Sequence, residues 1–365
     1  MGGGHIGVAV GSLGALRRSS TVTIVLVFGL LTILLLGLLV VLDLFLLDLP
    51  FPTWFTILFA TAFLFILLQW AIAPAIVRWA IRGRQPVTPR SNPWLFSTVE
   101  GLARQAGVPV PRTWTSRDPS PNAFVFGRTL RSAELVVTRG LLERLTQDEI
   151  RGVLAHEIGH LRHRDVITMT WVSAVPILAY VLARGGFEVL RGSGGSRSDK
   201  GSGAAILVAI AVAVLAYVVY LVTQLLVLYL SRTREYYADA YSAAATREPH
   251  HLASALTKIT FGLSLARKNS EPPGLRAFYI SDPWKAADEQ KALQDRIHAY
   301  DLDRDGQLDA YELQKALEVD RRNPWKRANE LFRTHPPTFK RILMLEQIEE
   351  EIHRGSLPAN VYQFV

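Results

Sequence analysis

Four long stretches of this chain carry no charged side chain: Val22–Leu42, Phe51–Val77, Val166–Ala183 and Ala204–Leu230. A helix needs about 20 apolar residues to cross the hydrocarbon core of a bilayer, where a segment must satisfy its own backbone groups. The first, second and fourth stretches meet that length easily and the third only just. Pro176 interrupts the third, so a buried core helix is the competing reading there. Composition agrees with a membrane protein that has a sizeable soluble part: 49% of the 365 residues are hydrophobic and the mean hydropathy is +0.19.

The charges take sides. Arg17 and Arg18 precede the first stretch, and Arg78, Arg82, Arg84 and Arg90 follow the second, whereas the turn between them holds Asp48 and no base. This positive-inside pattern places both flanks in the cytosol. Arg17 and Arg18 also resemble the start of a secretion signal. The run after them is too long for a signal core and no small-residue cleavage site follows, so the expectation is an uncleaved signal-anchor. Arg184, Arg191, Arg197 and Lys200 run against the pattern, in a Gly/Ser-rich linker that a four-span arrangement places outside. Either the earlier spans dominate orientation or the third and fourth form a hairpin that does not fully cross. The net charge of +8 therefore belongs to span flanks, and no nucleic-acid module is recognisable. Cysteine is absent, so disulfides and thiolate ligands are excluded and any metal must sit on His, Asp, Glu or backbone oxygen.

The soluble part begins after Pro89 with an amphipathic pattern around Trp94–Ala106. Short β-type runs follow at Arg112–Ser116, Asn122–Gly127 and Glu134–Thr138, separated by turn residues. Thr146 and Glu149 then make a Thr-x-x-Glu capping box, which starts a helix running to about Arg164. On that helix stands His156-Glu157-Ile158-Gly159-His160. Histidines four apart share a helical face, so both imidazoles reach one zinc ion, and Glu157 falls beside the metal where it can take a proton from water.

A third ligand is expected in Ser231–Asp239, which continues the fourth apolar stretch. His160 lies five residues before the third stretch starts near Asp165–Val166, and Glu235 lies five residues after the fourth ends at Leu230. If the intervening pair goes out and returns, both stand one to two helical turns from the membrane on the same side. Asp239, one turn beyond Glu235, is placed to accept the second ring N–H of a zinc histidine and fix its tautomer. His163 is the rival ligand, but it lies two turns from His156, about 10 Å along the axis, too far to share an ion.

With Pro121-Asn122-Ala123-Phe124, Val153 through His160, Ser231 through Asp239 and Thr334-His335-Pro336-Pro337 in this order, the chain resembles the HtpX-like membrane metallopeptidases, relatives of the CAAX prenyl endopeptidases. The resemblance implies a cytosol-facing zinc site with Glu235 as third ligand, and Asn122 and Ala123 on an edge strand that pairs with substrate backbone. It also brings His335 near the site, to stabilise an oxyanion or order the surroundings. A helix-start histidine before prolines is the plain alternative for His335. The family's usual work is quality control, the cutting of misfolded or damaged membrane proteins.

One segment departs from that family pattern. Asp301-Leu302-Asp303-Arg304-Asp305-Gly306-Gln307-Leu308-Asp309-Ala310-Tyr311-Glu312 matches an EF-hand loop at every ligand position. Asp301, Asp303 and Asp305 offer side-chain oxygens, Gln307 a main-chain carbonyl, Asp309 a direct or water-bridged contact and Glu312 two oxygens, which suits calcium. No second hand is evident, so the lone hand points to a homodimer with the copy from another protomer.

The expectation is thus a mainly α membrane protein of about four hydrophobic helices, with a zincin-type α+β metallopeptidase domain and an inserted EF-hand. Residues 1–85 form an anchor of two spans and 86–280 the catalytic domain, including hydrophobic helices 166–183 and 204–230. Residues 285–322 form the insertion, and 323–365 return to the catalytic domain. The expected setting is the bacterial cytoplasmic membrane with both termini in the cytosol, and the expected substrates are membrane or unfolded proteins. The alternatives are prenyl-peptide processing and a non-enzymatic calcium-responsive adaptor on a protease fold.

Overall fold

The structure is a computed structural model that describes residues 12–45, 51–81, 83–193, 202–266 and 333–355. The Asp301–Glu312 loop lies outside the described residues. The chain divides into two compact units, one of Ser19–Ala73 with Thr168–Leu230 and one built mainly of Pro74–Ile167 and the chain from Ser231 onward.

The first unit is helical because its segments are apolar on every side, and a helix is the simplest way for such a segment to pair its own backbone. Its material comes from α1 (Ser12–Phe45), α2 (Phe51–Ala80), α6 (Asp165–Ser193) and α7 (Ser202–Thr246). Val27, Leu31, Ala62, Ile66, Val172, Val175 and Leu230 form one of its packed cores. Pro176 does not end α6, which runs through it. The proline removes one backbone hydrogen bond, but Ala174, Val175 and Ala179 around it are fully buried, and that packing holds the helix. All four helices are long and apolar enough to cross a membrane. Large side chains such as Val25, Leu64 and Leu207 remain 64%, 64% and 68% exposed, a surface suited to lipid and unsuited to water.

The second unit joins a small sheet to helices. Strands β1 (Gln85–Pro86), β2 (Arg112–Ser116), β3 (Ala123–Phe126) and β4 (Glu134–Thr138) lie in the order β1-β2-β4-β3, with β2 and β4 parallel and the other pairs antiparallel. Strand β4 is buried throughout and β3 is an edge. The three β-type runs thus become β2, β3 and β4, and the amphipathic stretch becomes α3 (Pro93–Ala106), capped by Asn92 and closed by Gly107 at φ 66. The two-residue β1 and the short α4 (Arg139–Arg144) had no pattern long enough to announce them. Helices α8 (Pro249–Ala266) and α9 (Thr338–His353) complete the unit.

Helix α5 (Gln147–Arg162) starts where the capping box predicts. Thr146 Oγ1 accepts from the Glu149 N–H at 3.3 Å, and Glu149 Oε2 accepts from the Thr146 N–H at 2.8 Å. The other oxygen of Glu149 is held by Ser254 and Lys258 of α8, at 2.5 and 2.6 Å. Burial works against ionisation of this carboxyl, but Lys258, Ser254 and the Thr146 N–H together hold its pKa below the ordinary value. A depressed carboxyl pKa contributes stability that is present above the ordinary value near 4.5 and lost as pH falls through the lower folded value. Replacing Glu149 by Ala is expected to cost about 1 kcal/mol or more at pH 7. Thermal unfolding of the detergent-solubilised chain from pH 7 down to 3 should show the difference from wild type shrinking below about pH 4. A gap that is constant across that range would refute the assignment.

Candidate metal centre

Two helix faces meet at this site. On α5, Gly152, His156, Gly159 and His160 fall on one face, and on α7 Glu235, Ala238, Asp239 and Ser242 do the same. The glycines set the distance. A methyl group on Gly159 would stand 3.2 Å from Ala238 Cα and 3.1 Å from the Tyr241 ring, and one on Gly152 would stand 3.2 Å from the Leu252 N. Ser242 Oγ closes the contact by donating to the Gly152 carbonyl at 2.7 Å.

That approach brings three potential metal ligands together. The ligand atoms of His156, His160 and Glu235 all lie within 4.8 Å of one another. The two histidine Nε2 atoms are 3.2 Å apart, His156 Nε2 is 3.7 Å from Glu235 Oε2, and His160 Nε2 is 3.5 Å from Glu235 Oε1. A tetrahedral ion with bonds of about 2.0–2.1 Å requires ligand atoms about 3.3 Å apart, close to the separation of the two Nε2 atoms, and each Nε2 has a different Glu235 oxygen a few tenths of an ångström beyond that distance. Two imidazoles and a carboxylate are also a donor set that zinc accepts. His163 stays outside the group: its ring stands against those of Tyr237 and Tyr241, with centroids 5.4 and 6.0 Å away.

Each histidine is held from behind by a carboxylate, and each carboxylate by an arginine. His156 Nδ1 is 2.9 Å from Asp239 Oδ1, and Asp239 receives a forked pair of bonds from Arg341. His160 Nδ1 is 2.8 Å from Asp165 Oδ2, and Asp165 pairs with Arg234. On the neutral ring, a proton on Nδ1 shared with a carboxylate leaves the Nε2 lone pair facing the common point. Of these supports sequence reasoning named only Asp239. Asp165 reaches His160 because Arg164 adopts φ 59 and turns the chain back between α5 and α6. An Asp opening a helix five residues after the motif was the available signal for it. Arg341 gave none beyond following the Thr334–Pro337 motif.

Glu157 is buried beside the trio and accepts from the main-chain N–H of Val125. Burial is the main cause that pushes its carboxyl up to about 8, with Glu235 adding to the rise while His160, Val125 and Arg341 oppose it. Burial lowers the pKa of His156 despite Asp239. For His160 burial acts the same way but loses to Asp165, Glu235 and Glu157, which carry it up to about 9.

Asn122 and Ala123 lie at the start of the edge strand. The Asn122 main chain is spent inward: its N–H donates to Thr138 Oγ1 at 2.8 Å and its carbonyl accepts from the Thr138 N–H at 3.0 Å. By the alternation of an antiparallel ladder, Ala123 and Val125 then turn their backbone groups away from β4, on a side where both residues are buried and the Val125 N–H meets Glu157. His335, just before α9, stands with Nδ1 3.3 Å from Glu235 Oε1, and its Nε2 is buried with no hydrogen-bond partner among the described residues.

Comparison with known proteins gives a consistent set of likenesses. The model of peptidase family M48 matches residues 89–349. A protein named "Protease HtpX homolog" from Aeropyrum pernix is 36% identical over 294 residues, covering 79% of this chain and 84% of that one. Another of the same name, from Methanothermobacter thermautotrophicus, is 38% identical over 262 residues, covering 71% and 94%. A crystal structure of S. mikatae Ste24p aligns over 76% of this chain and 67% of that chain, at 22% identity and a TM-score of 0.44.

Proposed function

This chain belongs to peptidase family M48, and we propose that it is a membrane-embedded zinc endopeptidase that cuts membrane or misfolded proteins from the cytosolic side. A metallopeptidase in an apolar-helix anchor is what family membership and the four long helices establish. The zinc reading rests on one observation, that ligand atoms of His156, His160 and Glu235 all lie within 4.8 Å of one another with the two Nε2 atoms 3.2 Å apart. A zinc ion held there supplies a Lewis acid for the scissile carbonyl and makes an adjacent water more acidic.

The chain's own residues do the rest. Glu157 takes the proton of the attacking water at its carboxylate and passes it to the departing amide nitrogen, so that one C–O bond forms as one C–N bond breaks. A divalent ion held by His156, His160 and Glu235 would favour the carboxylate form of Glu157, the form that accepts a proton. The free edge at Ala123 aligns substrate as an added strand. His335, whose Nε2 is buried with no hydrogen-bond partner among the described residues, is the donor for oxyanion charge.

Orientation follows from the arginines around the first two spans, which put the chain after Arg84 and after Glu235 in the cytosol. The Asp301–Glu312 loop supplies the calcium ligands already named, and it lies between Glu235 and His335 in the chain. Calcium binding there relieves the repulsion among four aspartates and a glutamate, and by ordering the insertion it adjusts His335. A hand with no second copy in the sequence pairs with that of another protomer.

Three tests follow from this reading. Purified Glu157→Gln should keep about one zinc per chain and lose proteolysis by at least a hundredfold, because a base is removed and no ligand is. Full activity in that variant ends the mechanism. Reporter fusions after Arg84 and at the carboxyl terminus should report the cytosol, and an external carboxyl terminus would overturn the orientation. Calorimetry should find calcium binding in the wild type and not in Glu312→Gln, with calcium-dependent changes in proteolysis and in mass by light scattering. Equal binding by both proteins refutes the site, and binding without either change refutes the coupling.

A further inference from the structure

Arg341 follows Lys340 on α9, a position that reads from sequence as one of two solvated basic residues. The structure instead buries it to 1% exposure. A buried guanidinium is costly unless its donors are taken, and here they are. Nε donates to Asp239 Oδ2 at 2.8 Å and Nη2 to Asp239 Oδ1 at 2.7 Å, while Nη1 stands 3.0 Å from Glu235 Oε2. Nη2 is also 3.5 Å from His156 Nδ1.

This geometry needs both the planar fork and the helix it faces. Glu235 and Asp239 are four residues apart on α7, hence one turn apart on one face, and a single guanidinium spans them. The two oxygens of Glu235 are thereby divided. Oε2 is 3.0 Å from Arg341 Nη1 and 3.7 Å from His156 Nε2, whereas Oε1 is 3.5 Å from His160 Nε2 and 3.3 Å from His335 Nδ1. The segment that carries Arg341 is itself tied to α7, since Arg232 Nη1 donates to the Arg333 carbonyl at 2.8 Å. Pro336 and Pro337 stiffen the path from there into α9.

We propose that Arg341 is a positioning residue that makes Glu235 a one-oxygen metal ligand, by holding Oε2 in an ion pair at 3.0 Å and leaving Oε1 to the metal. Through its fork it also fixes Asp239, and through Asp239 the ring of His156. The inference rests on the reading that His156, His160 and Glu235 hold zinc. A lysine supplies the charge without the fork, so charge and geometry can be separated.

The experiment uses the full chain in detergent, as wild type, Arg341→Lys and Arg341→Met, with zinc affinity by chelator competition, the cobalt(II) absorption spectrum, and kcat and KM. Because Arg341→Met strands buried carboxylates, Arg341→Met with Asp239→Asn is carried alongside in case the single variant does not fold. The expected result is zinc affinity weaker by about 10- to 100-fold in the methionine variants. Their cobalt bands should lose intensity, as a second Glu235 oxygen raises the coordination number, and kcat should fall while KM holds. Arg341→Lys should fold like wild type yet keep an altered cobalt spectrum. Methionine variants that bind zinc within about two-fold of wild type with an unchanged cobalt spectrum would make Arg341 merely structural. Wild-type affinity and spectrum in Arg341→Lys would show that charge alone suffices, which also overturns the proposal. The zinc reading fails separately, and takes this inference with it, if wild type binds no stoichiometric zinc or if His156→Ala holds it equally well.

Discussion

A surplus of buried negative charge organises this molecule's second unit. Glu157, Glu235 and Asp239 are exposed by 4%, 6% and 0%, and among the described residues the arginine sealed against Glu235 and Asp239 is Arg341. Three carboxylates against one guanidinium leave two negative charges in a place where an uncompensated charge is costly. Asp165 and Arg234 cancel each other and do not change the sum. Two remedies exist. Protons can make up part of the difference: Asp165, Glu235 and Glu157 carry His160 up to about 9, and Glu235 adds to the rise of Glu157 to about 8, which burial mainly causes. A divalent cation makes it up as well, and its charge matches the deficit. The same imbalance that raises a carboxyl and an imidazole is therefore what a zinc ion would discharge.

The packing exists to hold that charge still. Glycines at 152 and 159 let α5 lie against α7 and α8 with no side chain between them, so the ligand faces meet at van der Waals distance. A close-packed contact has little freedom to slide, and the Nε2 atoms inherit its precision. Carboxylates behind the two histidines then fix the rings about their own axes, a task that helix packing cannot perform. Backbone sets where the ligands are, and the Asp–Arg pairs set which way they point.

How much of this could be read beforehand depends on sequence separation. His156, Glu157 and His160 stand within one helical turn, and Asp239 stands one turn from Glu235, so a period of 3.6 residues was enough to find them. Strands β2, β3 and β4 were legible because each is a short β-rich run between turn residues, whereas two-residue β1 was not. Arg234 and Asp165 are 69 residues apart, and Arg341 and Asp239 are 102 apart. Nothing local distinguishes such an arginine from a solvated one, and only the fold reveals that it is buried. Pro176 shows the converse limit. Its local rule predicts a break, yet the packing around it outweighs one lost hydrogen bond.

The edge strand adds a last constraint on what the site can cut. Val125 turns its backbone to the free edge of β3, but its N–H is already committed to Glu157. In the proposed mechanism an extended substrate laid along that edge would meet a donor and an acceptor at Ala123 and only an acceptor at Val125. The ladder therefore runs out of donors where the base begins. Because strand residues repeat about every 3.3 Å, the two positions differ by about 7 Å along the edge. The strand proposed to align substrate and the strand whose Val125 N–H bonds Glu157 are thus the same four residues, Ala123–Phe126. In the proposed mechanism, a shift of substrate by one residue would turn every paired group away from Ala123 and carry the scissile bond off Glu157, so alignment and proton transfer succeed or fail together.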